Sequence, residues 1–240
     1  VKRAPAAVAL CALAGAARAE TDRAALGARA GRAGEVALVG STGMVLVLPH
    51  VTAAGRVALG AGTGLELGYR NIAVFGQEGR ARFGWGAPVS SRVDLGIALR
   101  TSMSTLAPAD GGLFGIQFSN LPLANDWEIG SDAVVTIHRP GQAHVTASLG
   151  PTFTLGGIRY VDFKESAGFQ FDPALRAMSG SVQGEWELTE SLHLVLRLDA
   201  MVLLGIEKDD ACVEAHQSDC SQIAPLGFLP TGSVGIAWLL

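Results

Sequence analysis

The sequence predicts an all-β protein, an antiparallel up-and-down transmembrane β-barrel of eight to ten strands. Three observations carry that expectation: long stretches in which apolar and polar residues alternate, connectors that are short and long by turns, and tryptophans gathered near strand ends. Alternate side chains of an extended chain stand on opposite faces. Leu192, Leu194, Leu196, Leu198 and Ala200 therefore share one face, and His193, Arg197 and Asp199 share the other. In a soluble sandwich the oily face is the core and the charged face meets water. In a membrane barrel the oily face meets lipid and the charged face lines the lumen. A secreted soluble β-sandwich is the rival fold.

Composition narrows the classes. The chain has 240 residues, of which 17% are charged and 49% hydrophobic, so it is too apolar for disorder, and no Pro, Ser or charge-rich linker divides it. The net charge of −4 and the lack of a basic cluster give no reason to expect nucleic acid. Residues 1–19 read as a signal peptide: Lys2 and Arg3, an apolar run, then Ala17-Arg18-Ala19 as the cleavage site. Cys11 falls inside it, and a lipoprotein reading is weakened by Leu10, which stands where a small residue is needed. Residues 20–55 form an N-terminal segment in which Val36–Pro49 supplies either an extra hairpin or a latch at the barrel end. Residues 56–240 are the expected barrel.

The strands follow from parity. Val57, Leu59, Ala61, Leu65, Leu67 and Tyr69 alternate with Gly60, Gly62, Gly64, Glu66 and Gly68, and are read as one strand. Ala81, Phe83 and Trp85 oppose Arg80, Arg82 and Gly84, and Val93, Leu95, Ile97 and Leu99 oppose Arg92, Asp94, Ala98 and Arg100. Ala133, Val135 and Ile137 oppose Asp132, Thr136 and His138, and Val145 to Leu155 alternate in the same way. Val182, Trp186 and Leu188 oppose Gln183, Glu185 and Glu187, and Leu192–Leu204 follows. Val234, Ile236, Trp238 and Leu240 close the chain. Several of these strands exceed the usual five or six residues and match what a bilayer demands.

The connectors Pro88–Ser91, Arg139–Ala143 and Thr189–Glu190 are short, whereas Ser104–Trp127, Gly156–Pro173 and Gly205–Phe228 are long. Short turns on one side and long loops on the other mark an outer-membrane barrel. Trp85, Trp186 and Trp238 lie on the apolar parity near one end and Trp127 near the other. With Tyr69 they are the expected interface aromatics, although an aromatic content of 6% is low for such a belt.

The expected lumen-lining residues are Glu66, Arg82, Arg92, Asp94, Arg100, Glu185, Glu187, His193, Arg197 and Asp199. Isolated charges in a low-dielectric interior are costly, so they should pair or meet water. They can form an ion-pair network that fills the barrel, or a charged constriction that passes small solutes. The glycines of Val57–Tyr69 leave room on one wall, which favours a gap.

Cys212 and Cys220 lie in an acidic segment that export would place in an oxidising compartment, so a local disulfide is expected. Their spacing, even with His216, matches none of the paired zinc-ligand patterns, and no metal is assigned. Asp209, Asp210, Glu214 and Asp219 read as a solvated acidic loop. His138, His144, His193 and Ser148 supply pieces of a nucleophilic triad but read more simply as hydrogen-bonding lumen residues. Neither an enzyme nor a cofactor is expected.

Two turn-centred phrases, "FGWGAPVSSRVDLGIALR" and "QGEWELTESLHLVLRLDA", resemble the strand–turn–strand phrases of bacterial outer-membrane β-barrel proteins, especially porin-like ones. "GSTGMVLVLPHVTAAGRVALGAG" (Gly40–Gly62) is similar to the opening of a subset of exported barrels. "GSVGIAWLL" is similar to the C-terminal strand signal read by the barrel-assembly machinery, and departs from it by ending in Leu240. The resemblance implies a Gram-negative outer-membrane location, with membrane lipid and the assembly machinery as partners. It brings no chemistry. The expected role is structural or that of a passive, narrow channel for small hydrophilic solutes; the alternative is a surface interaction barrel that displays its long loops.

Overall fold

The computed structural model describes residues 24–45, 48–72, 76–106, 126–139, 143–162, 165–203 and 228–240. Ten strands form in chain order: β1 (Val36–Val45), β2 (Leu48–Gly60), β3 (Thr63–Ile72), β4 (Gly76–Ser90), β5 (Val93–Leu106), β6 (Asp126–Arg139), β7 (Ala143–Asp162), β8 (Glu165–Thr189), β9 (Leu192–Leu203) and β10 (Phe228–Leu239). Each pairs antiparallel with its sequence neighbours, and β1 pairs with β10 to close the barrel. The closure runs from Ala37 opposite Leu239 to Val45 opposite Thr231, and Val36 and Leu240 exchange backbone hydrogen bonds beyond it.

Alternation decides which face each side chain takes. On β9, Leu196 and Leu198 are 43% and 69% exposed, whereas His193 and Val195 between the strands' inner walls are 1% and 5% exposed. The exposed set elsewhere is Leu67, Phe83, Ile97, Leu99, Ile137, Leu149 and Val182, all on the parity assigned to lipid. Trp85, Trp127, Trp186, Trp238 and Tyr69 also face outward. The buried set includes many polar residues, among them Thr52, Arg56, Asp94, Asp132, Thr136, Gln183 and Glu185. An apolar outside and a polar inside is the reverse of a water-soluble sandwich.

The termini of the barrel and the connections at 61–62, 91–92, 140–142 and 190–191 share one end, here called the near end. Those at 46–47, 73–75, 107–125, 163–164 and 204–227 lie at the far end, so the longest connections fall there. Cys212, Cys220, His216 and the acidic residues around them lie outside the described residues, as do residues 1–23.

Two sequence expectations change, and one that was left open is decided. Val57–Tyr69 is not one strand but the β2–β3 hairpin, turning at Ala61-Gly62. Gly60, Ala61 and Gly62 have φ of 97°, 50° and 79°, a left-handed run that glycine adopts at little cost. A β-bulge beside this turn keeps the apolar residues in step, so parity alone cannot reveal the reversal. Gly156–Pro173 is not a loop, because β7 and β8 run through it as strands of 20 and 25 residues. Of the two readings of Val36–Pro49, the extra hairpin is the one found: β1 and the start of β2 pair within the wall, and β1 closes the barrel against β10.

Leu196→Arg, on the outer face, should lower folding stability in lipid by about 2–4 kcal/mol. Met201→Arg on the same strand points into the lumen cavity and should cost less than half as much. Urea titration of refolding into vesicles, read by heat-modifiable gel migration, compares the two.

Candidate functional site: the lumen

The inner wall carries its charge in two tiers. The far-end tier surrounds a cavity of about 230 Å³ lined by arginines, carboxylates and small hydroxyl side chains. Arg80 Nη2 and Arg82 Nη1 both approach Glu66, at 3.9 and 4.0 Å, too far for direct hydrogen bonds. Arg70 pairs with Glu78 at 3.2 Å, and Arg197 Nε donates to Asp199 at 2.7 Å. Arg100 lies across the wall, donating to Asp132 at 3.1 Å, to Thr152 at 2.5 Å and to Ser179. It can do so because Gly130 has no side chain: a Cβ there would stand 2.6 Å from the guanidinium carbon. Ser148 and Ser181 share a hydrogen bond of 2.8 Å beneath it.

The near-end tier is a chain of histidines and carboxylates on adjacent strands. His138 and His144 face each other through their Nδ1 atoms at 3.0 Å, so one of the two carries the shared proton. His138 Nε2 meets Asp94 at 2.9 Å, and His144 Nε2 lies 3.5 Å from Glu187. His193 Nδ1 meets Glu185 at 2.7 Å. None of these histidines contacts Ser148, whose hydroxyl is engaged by Ser181.

Residues 24–35 enter the lumen across this second tier. Ala24, Ala25, Leu26, Ala28 and Ala30 are all buried. Glu185 accepts from the backbone N–H of Ala25 at 2.5 Å and of Leu26 at 3.3 Å, and Thr136 Oγ1 accepts from Ala28 N–H at 2.7 Å. Arg56 donates to the carbonyls of Ala25 and Gly27 at 3.4 and 2.8 Å. Arg29 reaches Asp94 at 3.8 Å. Leu26 and Ala25 pack on Ala37, Val195 and Ala237, and Ala28 packs on Ala98 and Val134. An irregular segment in a barrel interior depends on the wall for its backbone hydrogen bonds, and here the N–H groups of Ala25, Leu26, Ala28 and Ala30 and the carbonyls of Ala25 and Gly27 find them there.

The seat for the segment is a track of glycines. A Cβ on Gly86 would come within 2.4 Å of the Ala28 carbonyl oxygen, and one on Gly64 within 2.9 Å of Ala30 Cβ. The room foreseen on this wall is real, and it is occupied by the chain's own N-terminal segment.

Of the ten expected lumen residues, Glu66, Arg82, Asp94, Arg100, Glu185, Glu187, His193, Arg197 and Asp199 stand on the inward parity. Arg92 does not: it occupies the 91–92 turn and is exposed, because β5 begins only at Val93. Sequence reasoning passed over Arg56, Arg70 and Glu78. Arg70 continues the inward parity of Glu66 and Gly68, so extending that strand by two residues finds it. Arg56 precedes the hidden β2–β3 turn, and residues 24–30 carry no periodicity that marks them as lumen-filling.

Gly86→Ala should unseat the segment without breaking the wall. Hydrogen–deuterium exchange of the Ala25, Leu26 and Ala28 amides should rise well above wild type, while the β8–β9 amides stay protected.

No protein-family model and no curated protein matches the chain. Solved structures similar to it include the NanC porin, with a TM-score of 0.43 at 9% identity, covering 85% of this chain and 100% of that one. Omp33 of Acinetobacter baumannii is similar with a TM-score of 0.32 at 8% identity, covering 86% and 98%. De novo designed transmembrane β-barrels are similar with a TM-score of 0.36 at 9% identity, covering 88% and 98%. The chain itself is a closed, ten-stranded antiparallel up-and-down barrel, and the solved structures it is similar to are outer-membrane porins and barrels.

Proposed function

We propose that the chain is a bacterial outer-membrane β-barrel whose lumen is a narrow, passive route for small hydrophilic solutes, stoppered at its near end by residues 24–30. The observation that carries this reading is the combination of an apolar outer face with a cavity lined by charged and hydroxyl side chains that the described residues leave on the far side of the segment. A barrel used only as a rigid anchor has no need of that space. Ten strands lie just above the size at which side chains alone fill a barrel, and here the filling at the near end comes from a separable piece of chain. In this reading the near end is periplasmic, the far end faces outward, and β10 is the strand offered to the assembly machinery. The first nineteen residues are the export signal.

A second reading has one feature in its favour. β7 and β8, at 20 and 25 residues, outrun β6 at 14 and carry their hairpin beyond the far rim. A ladder of that length suits a barrel that presents a surface to a partner. Conduction separates the two readings.

Single-channel recording in a planar bilayer should find the intact protein closed for most of the record. Removal of residues 24–30, which lie before β1, should produce steady conductance steps. A deletion variant that migrates as a folded barrel and stays silent would rule out the channel reading and leave surface presentation.

A further inference from the structure

Below the main cavity, beside Leu26, lies a separate recess of about 30 Å³. That is room for about two water molecules, or for one monatomic ion. Its charged lining is Arg70, Arg80, Arg197 and Glu66, and Gln183, Thr52, Ser41 and Ser233 complete the polar wall. Arg70 and Arg197 have their own carboxylates in Glu78 and Asp199, but Arg80 shares Glu66 with Arg82, so one guanidinium charge is in excess in this corner. The donors are also under-used. Among the described residues, Arg80's nearest carboxylate is 3.9 Å away, and Arg70 Nε, Arg80 Nε, Gln183 Nε2 and Thr52 Oγ1 are buried without a hydrogen-bond partner. Buried donors are satisfied in nearly all folded proteins, so four in one corner mark a place where a partner from outside the chain belongs. The backbone makes space for this arrangement: a Cβ on Gly68 would lie 2.7 Å from Arg80 Nε.

We infer that this recess is a binding site for one small monovalent inorganic anion of halide size. A multivalent oxyanion needs more room than the recess holds. A neutral ligand leaves Arg80 and Arg82 sharing the one carboxylate of Glu66. An anion here neutralises the excess positive charge and accepts from donors that the wall leaves idle. It also sits against Leu26, so its occupancy couples to the seating of the N-terminal segment. The site goes beyond the conduction reading, because a barrel that never conducts still binds at equilibrium.

The test is diffraction from crystals of the full chain grown in sodium bromide. An anomalous peak is expected in the recess between Arg70, Arg80 and Gln183, and its loss is expected in Arg80→Gln. Gln183→Leu is the second variant, should Arg80→Gln fail to refold, and should weaken the peak. Thermal unfolding in detergent gives an independent reading: the midpoint should be higher in sodium bromide than in sodium gluconate of equal ionic strength, and the difference should vanish in either variant. A recess without anomalous signal, together with equal midpoints in the two salts, overturns the assignment.

Discussion

Everything in this structure depends on the pairing of β1 with β10. In hydrocarbon a backbone N–H or C=O has no water to turn to, and each one left unpaired costs several kcal/mol. An open sheet of this length would expose two full edges. Closing the ladder from Ala37–Leu239 to Val45–Thr231 removes both. Closure also fixes the sidedness. Once the ring is complete, every inward parity faces a shared interior and every outward parity faces lipid, with no position able to choose. Leu198 at 69% exposure and His193 at 1% are two consequences of that single constraint.

The same constraint explains the character of the interior. Charges that a soluble protein keeps on its surface have only the lumen here, since the outer face is closed to them. Arg80, Arg82, Arg100 and Arg197 therefore meet Glu66, Asp132 and Asp199 across a confined space. A buried pair must have good geometry to offset desolvation, and the tiers differ in how well they do so. Arg100 is held by one carboxylate and two hydroxyls. Arg80 and Arg82 share Glu66 at a distance. The far tier thus keeps unspent hydrogen-bonding capacity next to the cavity, while the near tier engages one nitrogen of His193, both nitrogens of His138 and the entering backbone.

Legibility from sequence followed the same physics. Face assignment was readable because alternation has a period of two and is enforced wherever lipid touches the wall. Strand number was harder. The tight reversal at Ala61-Gly62, with its bulge, preserves the parity of Val57 and Leu65, so a hairpin imitates a single strand. The polar, irregular composition of Gly156–Pro173 reads as loop, since a ladder extending past the membrane no longer needs an apolar outer row. Arg92 was misplaced for a related reason: parity cannot say where a strand starts, and one residue decides between wall and turn. The N-terminal segment was invisible altogether. "ALGARA" has no period matching the wall, and its burial arises from glycines on β3, β4 and β5 that are distant in sequence.

Those glycines bear on whether the segment belongs in the lumen. Gly64 and Gly86 occupy inward positions on the strands where the far tier carries Glu66, Arg80 and Arg82. Without occupancy, the stripped wall would leave a polar gap at the near end, where Arg56 loses the carbonyls it donates to and Glu185 keeps only His193. With residues 24–30 in place, Glu185 accepts from two backbone N–H groups and Arg56 donates to two carbonyls. Alanine-rich chain is the filler that fits, because small side chains allow the backbone itself to approach the wall closely enough for those bonds. The contacts join a few hydrogen bonds to two small apolar patches, Ala25 and Leu26 on Ala37, Val195 and Ala237, and Ala28 on Ala98 and Val134. None of these contacts is part of the closed ladder, so losing them would unpair no strand of it.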